Sequence, residues 1–575
     1  MDEAAPLPWE RPLGATPGDG GLTTIRVWAP HSGEVAVVLD TGAVPLEGEG
    51  GVFVGEVHAP AGTDYRFAID GGDPLPDPCS RFQPGGVRGP SRVVDPRART
   101  WTDGGWGGID PAALVVYELH VGTLTPGGTF AAAIERLAEL RDLGITAIEL
   151  LPVATFPGER NWGYDGLYTW APHPAYGGPE GLDALVDAAH AHGLGVIMDV
   201  VYNHIGPGSE TLEAFGPYLT DRYGTPWGRA VNFDDRDSGG VREWAIQNAC
   251  MWVSEHHIDG LRVDAVHAIH DSGARHVLAE LTERVRGAAR TPPVLIAESD
   301  LNDPRTVTPV AEGGLGFDAQ WADDFHHALH AQLTGESDGY YADYSAVAAL
   351  ADATARPFVH DGRYSPFRRR RHGAPADHLP RSRFVVCSQN HDQVGNRAAG
   401  DRPPPETHAL AALWTLLSPS VPMLFMGEEY GETRPWQFFT DHIDPLIADA
   451  TRDGRRNEFA AFAGFEGEVP DPQARETFAR SVLERSAGDP LVRALYRALL
   501  EIRRGLPADP PRVRFDEAGR WIAMERGDLE VVGNFGRHDA EVAVAAAQMV
   551  IPTREDVVLL DGRLVLPPLS GAVVR

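Results

Sequence analysis

Two charged residues in the stretch 258–267 are spaced so that both could lie beside a substrate. The stretch reads Ile-Asp-Gly-Leu-Arg-Val-Asp-Ala-Val-His, and Asp259-Gly260 predicts a tight turn leading into a short strand. Alternate side chains of a strand share a face, so Arg262 and Asp264 would point the same way. A permanently charged guanidinium keeps a neighbouring carboxylate ionised, which suits a nucleophile better than a proton donor. From these ten residues alone, a structural ion pair that closes a strand end is the simpler interpretation.

A second carboxylate, Glu298, has different surroundings. It follows the apolar run 294–297 and has no cation beside it in sequence, so burial is expected to raise its pKa. Retaining glycoside hydrolysis requires one ionised and one protonated carboxyl group, and the two then lie roughly 5–5.5 Å apart. Aromatic residues that would suit the apolar face of a sugar stand near other predicted strand ends: Trp162, Tyr164, Tyr202 and Trp227.

The elements that must position these residues alternate along the chain. Short apolar runs typical of buried strands cover 115–119, 146–151, 195–201, 261–264, 294–298, 319–321, 384–389 and 422–426. Helical spacing of apolar residues marks 129–143, 182–193, 241–256, 274–289 and 491–504. Eight strands interleaved with helices predict an α/β fold, a (β/α)₈ TIM barrel with long inserted loops.

Short alternating runs flank the predicted barrel on both sides. The runs 24–29, 34–39, 52–57 and 65–69 predict a small antiparallel β-sandwich before it. The runs 521–525, 529–534 and 557–560 predict an antiparallel β-domain after it. We therefore expect three domains, at 1–110, 111–506 and 507–575. The longest inserts within the barrel are expected at 204–240, 340–383 and 427–490.

The chemistry of such barrels lies at the carboxyl ends of the strands, on the loops that follow. Residues able to contact a substrate recur at these ends: Tyr164, His204, Arg262, Asp264, His267, Glu298, Asp323, Asp324, Phe325, His326, His327, His391, Asp392, Gln393 and Asn396. Each of them alone could be a polar cap of a strand. Together they predict a site, because buried carboxylates cost stability unless they are used or paired.

The composition narrows the possible partners. Acidic residues outnumber basic ones, 82 against 50, and the formal net charge of −32 disfavours nucleic acid and membrane surfaces as partners. The chain has no lysine, which excludes Schiff-base chemistry and a phosphate-loop lysine. The chain has three widely spaced cysteines, and it shows neither a signal-like N-terminus nor an apolar run long enough to cross a membrane. These features together predict a soluble cytoplasmic protein.

Four segments, in order on predicted strands three, four, five and seven, resemble the signature segments of the α-amylase family of glycoside hydrolases: 199–204 (DVVYNH), 260–264 (GLRVD), 297–299 (AES) and 390–392 (NHD). The resemblance implies that Asp264 is the nucleophile, Glu298 the general acid/base and Asp392 a stabiliser of the transition state. It also implies that His204, Arg262 and His391 hold the sugar and that Tyr164 stacks beneath it. This chemistry needs no metal or cofactor. At Asn203, where some relatives bind calcium, we expect a hydrogen bond within the loop.

Finer features resemble the members of that family that release trehalose from malto-oligosyltrehalose. Hydrolases of plain starch usually carry a lysine two residues after the nucleophile, where this chain has Val266 followed by His267. Four segments carry this resemblance: 161–166, 264–269, 323–330 and 390–397. By the same resemblance, the trehalose end would be bound by 323–327 together with His391, Gln393 and Asn396. The expected small-molecule partners are malto-oligosyltrehalose, trehalose and maltooligosaccharides. A glucan branching enzyme, which transfers to a second chain, and a non-catalytic sugar-binding barrel are the alternatives.

Overall fold

A closed barrel of eight parallel strands forms the centre of the computed structural model, which describes residues 6–460 and 469–575. In chain order the strands are β1 (Val116–Leu119), β2 (Ala147–Leu150), β3 (Gly195–Val200), β4 (Gly260–Val263), β5 (Val294–Ala297), β6 (Ala319–Trp321), β7 (Phe384–Cys387) and β8 (Val421–Phe425). Each strand pairs with the next in sequence, and β8 closes on β1. All eight are buried along their whole length, which explains why they read as continuous apolar runs. The predicted (β/α)₈ barrel is confirmed.

Helices cover the barrel after most of the strands. The α-helices are Val121–Leu124, Phe130–Ile134, Leu137–Leu143, Gly178–Ala191, Glu210–Glu213, Ser238–Glu255, Val277–Ala288, Asp323–Thr334, Val347–Ala355, His391–Gly395, His408–Leu416, Pro445–Ala460, Arg475–Ser481 and Pro490–Arg503. One prediction differs from this layout. The single helix expected at 129–143 is broken at Glu135–Arg136 into two shorter ones. Between β5 and β6 the chain forms only 3-10 turns, at Pro304–Val307 and Val310–Glu312.

Two four-stranded antiparallel sheets precede the barrel, as predicted. One has the order Gly14–Pro17, Leu22–Trp28, Val52–His58 and Glu47–Glu49, and the other the order Gly42–Pro45, Val35–Leu39, Asp64–Ile69 and Ser91–Arg92. Along Val35–Leu39 buried and half-buried residues alternate, as in a strand with one face on a core. The sequence did not predict the edge strands at 14–17, 42–45, 47–49 and 91–92.

The C-terminal region is also antiparallel, as predicted. It has a five-stranded sheet of Val513–Asp516, Trp521–Arg526, Leu529–Asn534, Ser570–Val574 and Met549–Pro552, and a three-stranded sheet of Ala540–Ala543, Arg563–Leu566 and Val558–Leu560. The domain boundaries at 110 and 506 stay a prediction.

Some sequence predictions lie outside the described residues. The prediction about a signal segment rests partly on the first five residues, which are not described. The predicted insert 427–490 includes 461–468, which are not described either. In the described ranges, no helix combines the length and the apolar character needed to cross a membrane.

Candidate active site

Asp264 lies at the carboxyl end of β4 within a network of hydrogen bonds. Arg262 Nη1 donates to its Oδ1 at 2.6 Å, and Asn203 Nδ2 donates to its Oδ2 at 2.6 Å. Burial alone would raise the pKa of Asp264, but the Arg262 guanidinium, the nearby His204 and the Asn203 amide hold it below its ordinary value. This carboxylate is therefore kept ionised, as the sequence predicted.

Glu298 follows β5 directly and has the opposite character. Burial raises the pKa of Glu298 above its ordinary value, the negative charges of Asp264 and Asp392 add to the effect, and Arg262 opposes it. Arg262 Nη2 lies 3.9 Å from Glu298 Oε2, so the cation that is absent beside Glu298 in sequence is present in space. The predicted direction of the shift holds because burial outweighs that cation.

A backbone N–H group fixes the orientation of Glu298. Ala265 has φ +39°, in the left-handed region that residues with a Cβ seldom adopt, and its N–H donates to Glu298 Oε2 at 2.7 Å. A strained non-glycine residue between the two carboxylates is typical of a functional site. One Glu298 oxygen is thereby held in place while the other remains available for proton transfer. The 5–5.5 Å separation of the two carboxyl groups stays a prediction.

Tyr164, His391 and Asp392 form a second group of contacts in the site. The Tyr164 hydroxyl lies 2.8 Å from His391 Nε2, and the two rings stack with their centroids 5.0 Å apart. His391 Nδ1 lies 2.6 Å from Glu118 Oε1, and His391 Nε2 lies 3.4 Å from Asp392 Oδ2. Burial alone would lower the pKa of His391, but the charges of Asp392 and Glu118 and the Glu118 hydrogen bond raise it to about 9. His391 is therefore a cation at neutral pH.

Three residues of this network were not among the predicted site residues. Asp199 accepts from Arg262 Nη1 at 2.9 Å and from the Tyr164 hydroxyl at 2.6 Å. Asn203 bonds to His204 within its loop, as expected, and it also donates to Asp264. Glu118 orients His391. Asp199 and Arg262 are register partners on β3 and β4, so parallel pairing places them side by side. The signal for Glu118 and Asp199 was present in the sequence, since each is a lone carboxylate inside an otherwise apolar strand.

The predicted trehalose-reading segment 323–327 is the first turn of the helix Asp323–Thr334, so its side chains diverge. Burial raises the pKa of Asp323 well above its ordinary range, and the charges of Glu298 and Asp392 add to this. Asp324 instead accepts from the N–H groups of Val359 and His360, and Phe325 is fully buried in the hydrophobic core. Phe325 is therefore part of the core and Asp324 anchors a loop, and the contact of either residue with the sugar stays a prediction.

His204 and His267 are two other predicted binding residues. His204 Nε2 lies 2.9 Å from the Tyr164 carbonyl oxygen, and its ring stacks on the half-exposed Trp227 at 5.0 Å. His267 Nε2 lies 4.0 Å from Asp300 Oδ1.

Two further predicted residues follow β7, on the helix that carries Asp392. Asn396 is exposed and donates to Asp392 Oδ1 at 3.1 Å. Gln393 is half-buried, and its backbone N–H donates to Asn390 Oδ1, which caps the N-terminus of the helix His391–Gly395.

Two histidines of the helix Asp323–Thr334 belong to an aromatic cluster. The His326 ring stacks on His330 at 5.6 Å, and the His327 ring lies 4.6 Å from that of Tyr340. Within the described residues both ring nitrogens of His326 are buried without a hydrogen-bond partner. Burial lowers the pKa of both histidines, that of His327 to about 3, so both are neutral.

A parallel barrel whose strand ends bring together a carboxyl group of lowered pKa, a carboxyl group of raised pKa and a shared arginine has the architecture of a glycoside hydrolase of the α-amylase type. Comparison with known proteins agrees: residues 90–216 match the model described as the alpha amylase catalytic domain. Malto-oligosyltrehalose trehalohydrolase from Rhizobium sp. (strain M-11) is 46% identical over 96% of this chain and 98% of its own. The enzyme of that name from Saccharolobus solfataricus is 43% identical over 90% of this chain and 92% of its own. The chain belongs to the malto-oligosyltrehalose trehalohydrolase family.

Other similar proteins carry different descriptions. A 1,4-alpha-glucan branching enzyme from Corynebacterium jeikeium is 30% identical, over 74% of this chain and 63% of its own. A crystal structure described as a putative alpha amylase from Salmonella typhimurium is 38% identical with a TM-score of 0.90, covering 98% of this chain and 99% of its own. A pullulanase from Anoxybacillus sp. LM18-11 shares the fold, with a TM-score of 0.71 at 18% identity, covering 98% of this chain and 87% of its own.

Proposed function

We propose that this protein is a retaining glycoside hydrolase that cleaves the α-1,4 bond next to the terminal trehalose of malto-oligosyltrehalose. One observation carries the chemistry: a single guanidinium, that of Arg262, contacts both Asp264 and Glu298, whose pKa values are moved in opposite directions. Such a divided pair supplies a nucleophile and an acid in one site. The trehalohydrolase relatives support the choice of substrate.

In the first step Glu298 protonates the oxygen of the bond being cleaved, and Asp264 attacks the anomeric carbon. Trehalose leaves, and the maltooligosaccharide remains bound to Asp264 as a glycosyl ester. Arg262 and Asn203 hold the Asp264 carboxylate by one oxygen each. We assign Asp392 to stabilising the positive charge that develops on the sugar.

In the second step the Glu298 carboxylate takes a proton from water, which attacks the same carbon and releases the sugar with its configuration retained. The bound sugar would stack on Tyr164 and receive hydrogen bonds from His204 and His391. We assign the trehalose end to His267, Asp323, His326, His327, Gln393 and Asn396.

We also propose a cytoplasmic location, which the free thiols of Cys79, Cys250 and Cys387 support.

Incubation of the protein with malto-oligosyltrehalose and, separately, with amylose tests this function. We expect free trehalose and a shortened maltooligosaccharide from the first and no α-1,6 branches from the second. New branches in amylose without trehalose release would instead identify a branching enzyme. No change in either sugar would leave a binding protein as the alternative.

A further inference from the structure

Asp324 is a buried carboxylate, 3% exposed, that accepts hydrogen bonds from three separate segments of the chain. Its Oδ2 accepts from Asn302 Nδ2 at 2.9 Å and from the backbone N–H groups of Val359 at 2.7 Å and His360 at 2.9 Å. Its Oδ1 accepts from the Tyr344 hydroxyl. Four donors therefore converge on one side chain.

The four donors are all neutral. Throughout 6–460 and 469–575, no nitrogen of an arginine or histidine side chain lies within 4.0 Å of the Asp324 carboxylate. A buried carboxylate without an ion-pair partner is tolerated only when hydrogen bonds compensate for the water it has lost. Each of the four donors would in turn be left unpaired if the carboxylate were removed. The segments that supply them are therefore tied to Asp324.

Three of the donors belong to the insert 339–374, which lies between the helix Asp323–Thr334 and β7. The hydroxyl donor, Tyr344, is the last residue of a 3-10 helix that begins at Gly339, and the two backbone donors follow the helix Val347–Ala355. The fourth donor, Asn302, lies in the loop after β5 with φ +53°, a conformation that asparagine tolerates better than most residues. Asp324 thus joins the insert and this loop to its own helix.

Asn302 makes a second set of contacts with the same insert. Its Nδ2 also donates to the His360 carbonyl oxygen at 3.2 Å, and its own carbonyl oxygen accepts from the Ala374 N–H at 3.1 Å. A Cβ at Gly373 would lie 1.8 Å from the His360 carbonyl oxygen, so the two parts of the insert can approach this closely only at a glycine. Both ends of 360–374 are therefore fixed beside Asn302.

The contacts of Asp324 extend to two residues that we assign to the trehalose end. The ring of the fully buried Tyr344 lies 5.3 Å from the His327 ring, and His327 lies three residues after Asp324, on the same face of the helix. In the loop after β5, Asp300 Oδ1 lies 4.0 Å from His267 Nε2. One buried carboxylate therefore holds a partner of His327 and the loop that contacts His267.

We propose that Asp324 is a positioning residue that sets the geometry of the trehalose end through the insert 339–374 and the loop after β5, rather than by binding the sugar. This inference rests on the proposed function. Glu298 can protonate the bond only if the leaving trehalose is held in place, and a displacement of about 1 Å can cost about a hundredfold in rate.

Kinetics with two substrates test the proposal. Malto-oligosyltrehalose needs its trehalose end held in place, whereas α-maltotriosyl fluoride loses only fluoride when Asp264 attacks its anomeric carbon. For Asp324→Ala we expect kcat/KM to fall about hundredfold with malto-oligosyltrehalose and to change little with the fluoride. Asp324→Asn should lose at most about tenfold, because its amide oxygen can accept from the three N–H donors and its amide nitrogen can donate to the Tyr344 oxygen.

Asp338→Ala is the matched control. Asp338 is an exposed aspartate that precedes the first residue of the insert and makes no side-chain hydrogen bond at the start of its 3-10 helix, so both substrates should be turned over as by the wild type. If Asp324→Ala does not fold, Tyr344→Phe removes only the hydroxyl that bonds to Asp324. It should show the same difference between the substrates to a smaller extent.

Equal losses with both substrates in these variants would show a purely structural role and would overturn the proposal, as would unchanged kinetics with both. A wild type that hydrolyses the fluoride but releases no trehalose would instead overturn the proposed function, and this inference with it. The two failures are therefore distinguished by the wild type alone.

Discussion

At the scale of single residues, Arg262 explains how two carboxyl groups on adjacent strands acquire different chemistry. It donates to Asp264 at 2.6 Å but lies 3.9 Å from Glu298, so its charge acts unequally on the two. Asp264 stays ionised and Glu298 keeps its proton at higher pH than an exposed carboxyl group would. From the sequence alone, Arg262 and Asp264 were most simply interpreted as a structural ion pair. In the folded site they are better interpreted as a proposed nucleophile, Asp264, and the cation that keeps it charged.

Replacing Asp264 with asparagine removes the proposed nucleophile while keeping its shape. We expect kcat to fall by about four orders of magnitude or more, as is typical when a nucleophile is lost, with the thermal midpoint little changed. Steady-state assays with malto-oligosyltrehalose and thermal unfolding measure the two effects. Activity near that of the wild type would show that another residue attacks.

The variant Arg262→Met should move the acidic limb of the pH–rate profile. Asp264 must be ionised to attack, so activity falls as pH drops through its pKa. Without the cation, burial is no longer offset, the pKa of Asp264 rises, and activity is lost at a higher pH than in the wild type. Arg262→Lys keeps the charge and should shift the limb less. Profiles of kcat/KM against pH provide the measurement, and an unshifted limb in Arg262→Met would contradict the role given to Arg262.

At the scale of elements, the sequence predicts strands that are buried on both faces better than those at sheet edges. All eight barrel strands were predicted, because each is a short apolar run. The missed strands, such as Gly42–Pro45 and Glu47–Glu49, are wholly exposed and carry no pattern of burial. The break at Glu135–Arg136 was missed because apolar spacing continues across it.

The candidate site shows the same limits. Asp264, Glu298 and Asp392 were predicted from strand ends, whereas 323–327 was assigned to the sugar as a block, and the sequence pattern alone gave no account of its helical geometry. Successive helix residues turn by about 100°, so five in a row cannot all face one cleft. Phe325 accordingly points into the core. Contacts between strands, such as that of Arg262 with Glu298, depend on the folded barrel and have no local signal.

Gly260 tests how closely β4 and β5 must approach to position the two carboxylates. A Cβ at this glycine would lie 2.3 Å from the Val294 carbonyl oxygen, so Gly260→Ala should displace one strand from the other. We expect a loss of about 1–3 kcal/mol in the free energy of unfolding together with reduced activity. Gly287→Ala is the control, since nothing lies within 4 Å of a Cβ there and alanine favours its helix. Equal stability of the two variants by denaturant titration would refute the argument.

At the scale of the whole molecule, one tryptophan joins the N-terminal sheets to the barrel. Trp28 ends the strand Leu22–Trp28, is 3% exposed and meets Tyr218 edge to face at 5.5 Å. Its ring occupies the space beside Gly240, where a Cβ would lie 2.2 Å from it. The absence of a side chain at Gly240 therefore lets the ring pack against the helix Ser238–Glu255.

Trp28→Ala should open a cavity at this contact and cost about 3–5 kcal/mol of stability, the usual range for a buried tryptophan. Activity per folded molecule should be unchanged, because Trp28 contacts none of the proposed catalytic residues. Leu22→Ala, at the exposed start of the same strand, should cost far less. Thermal and denaturant unfolding measure both, and similar losses in the two variants would contradict the packing role.

The most direct test of the account is the configuration of the first product formed from malto-oligosyltrehalose, followed by ¹H NMR from the start of the reaction. Trehalose has no reducing end, so every new anomeric signal of a reducing sugar belongs to the maltooligosaccharide. Double displacement through Asp264 predicts that trehalose appears together with the α-anomer, before mutarotation produces the β-anomer. Initial appearance of the β-anomer would show direct attack by water and would contradict the central claim.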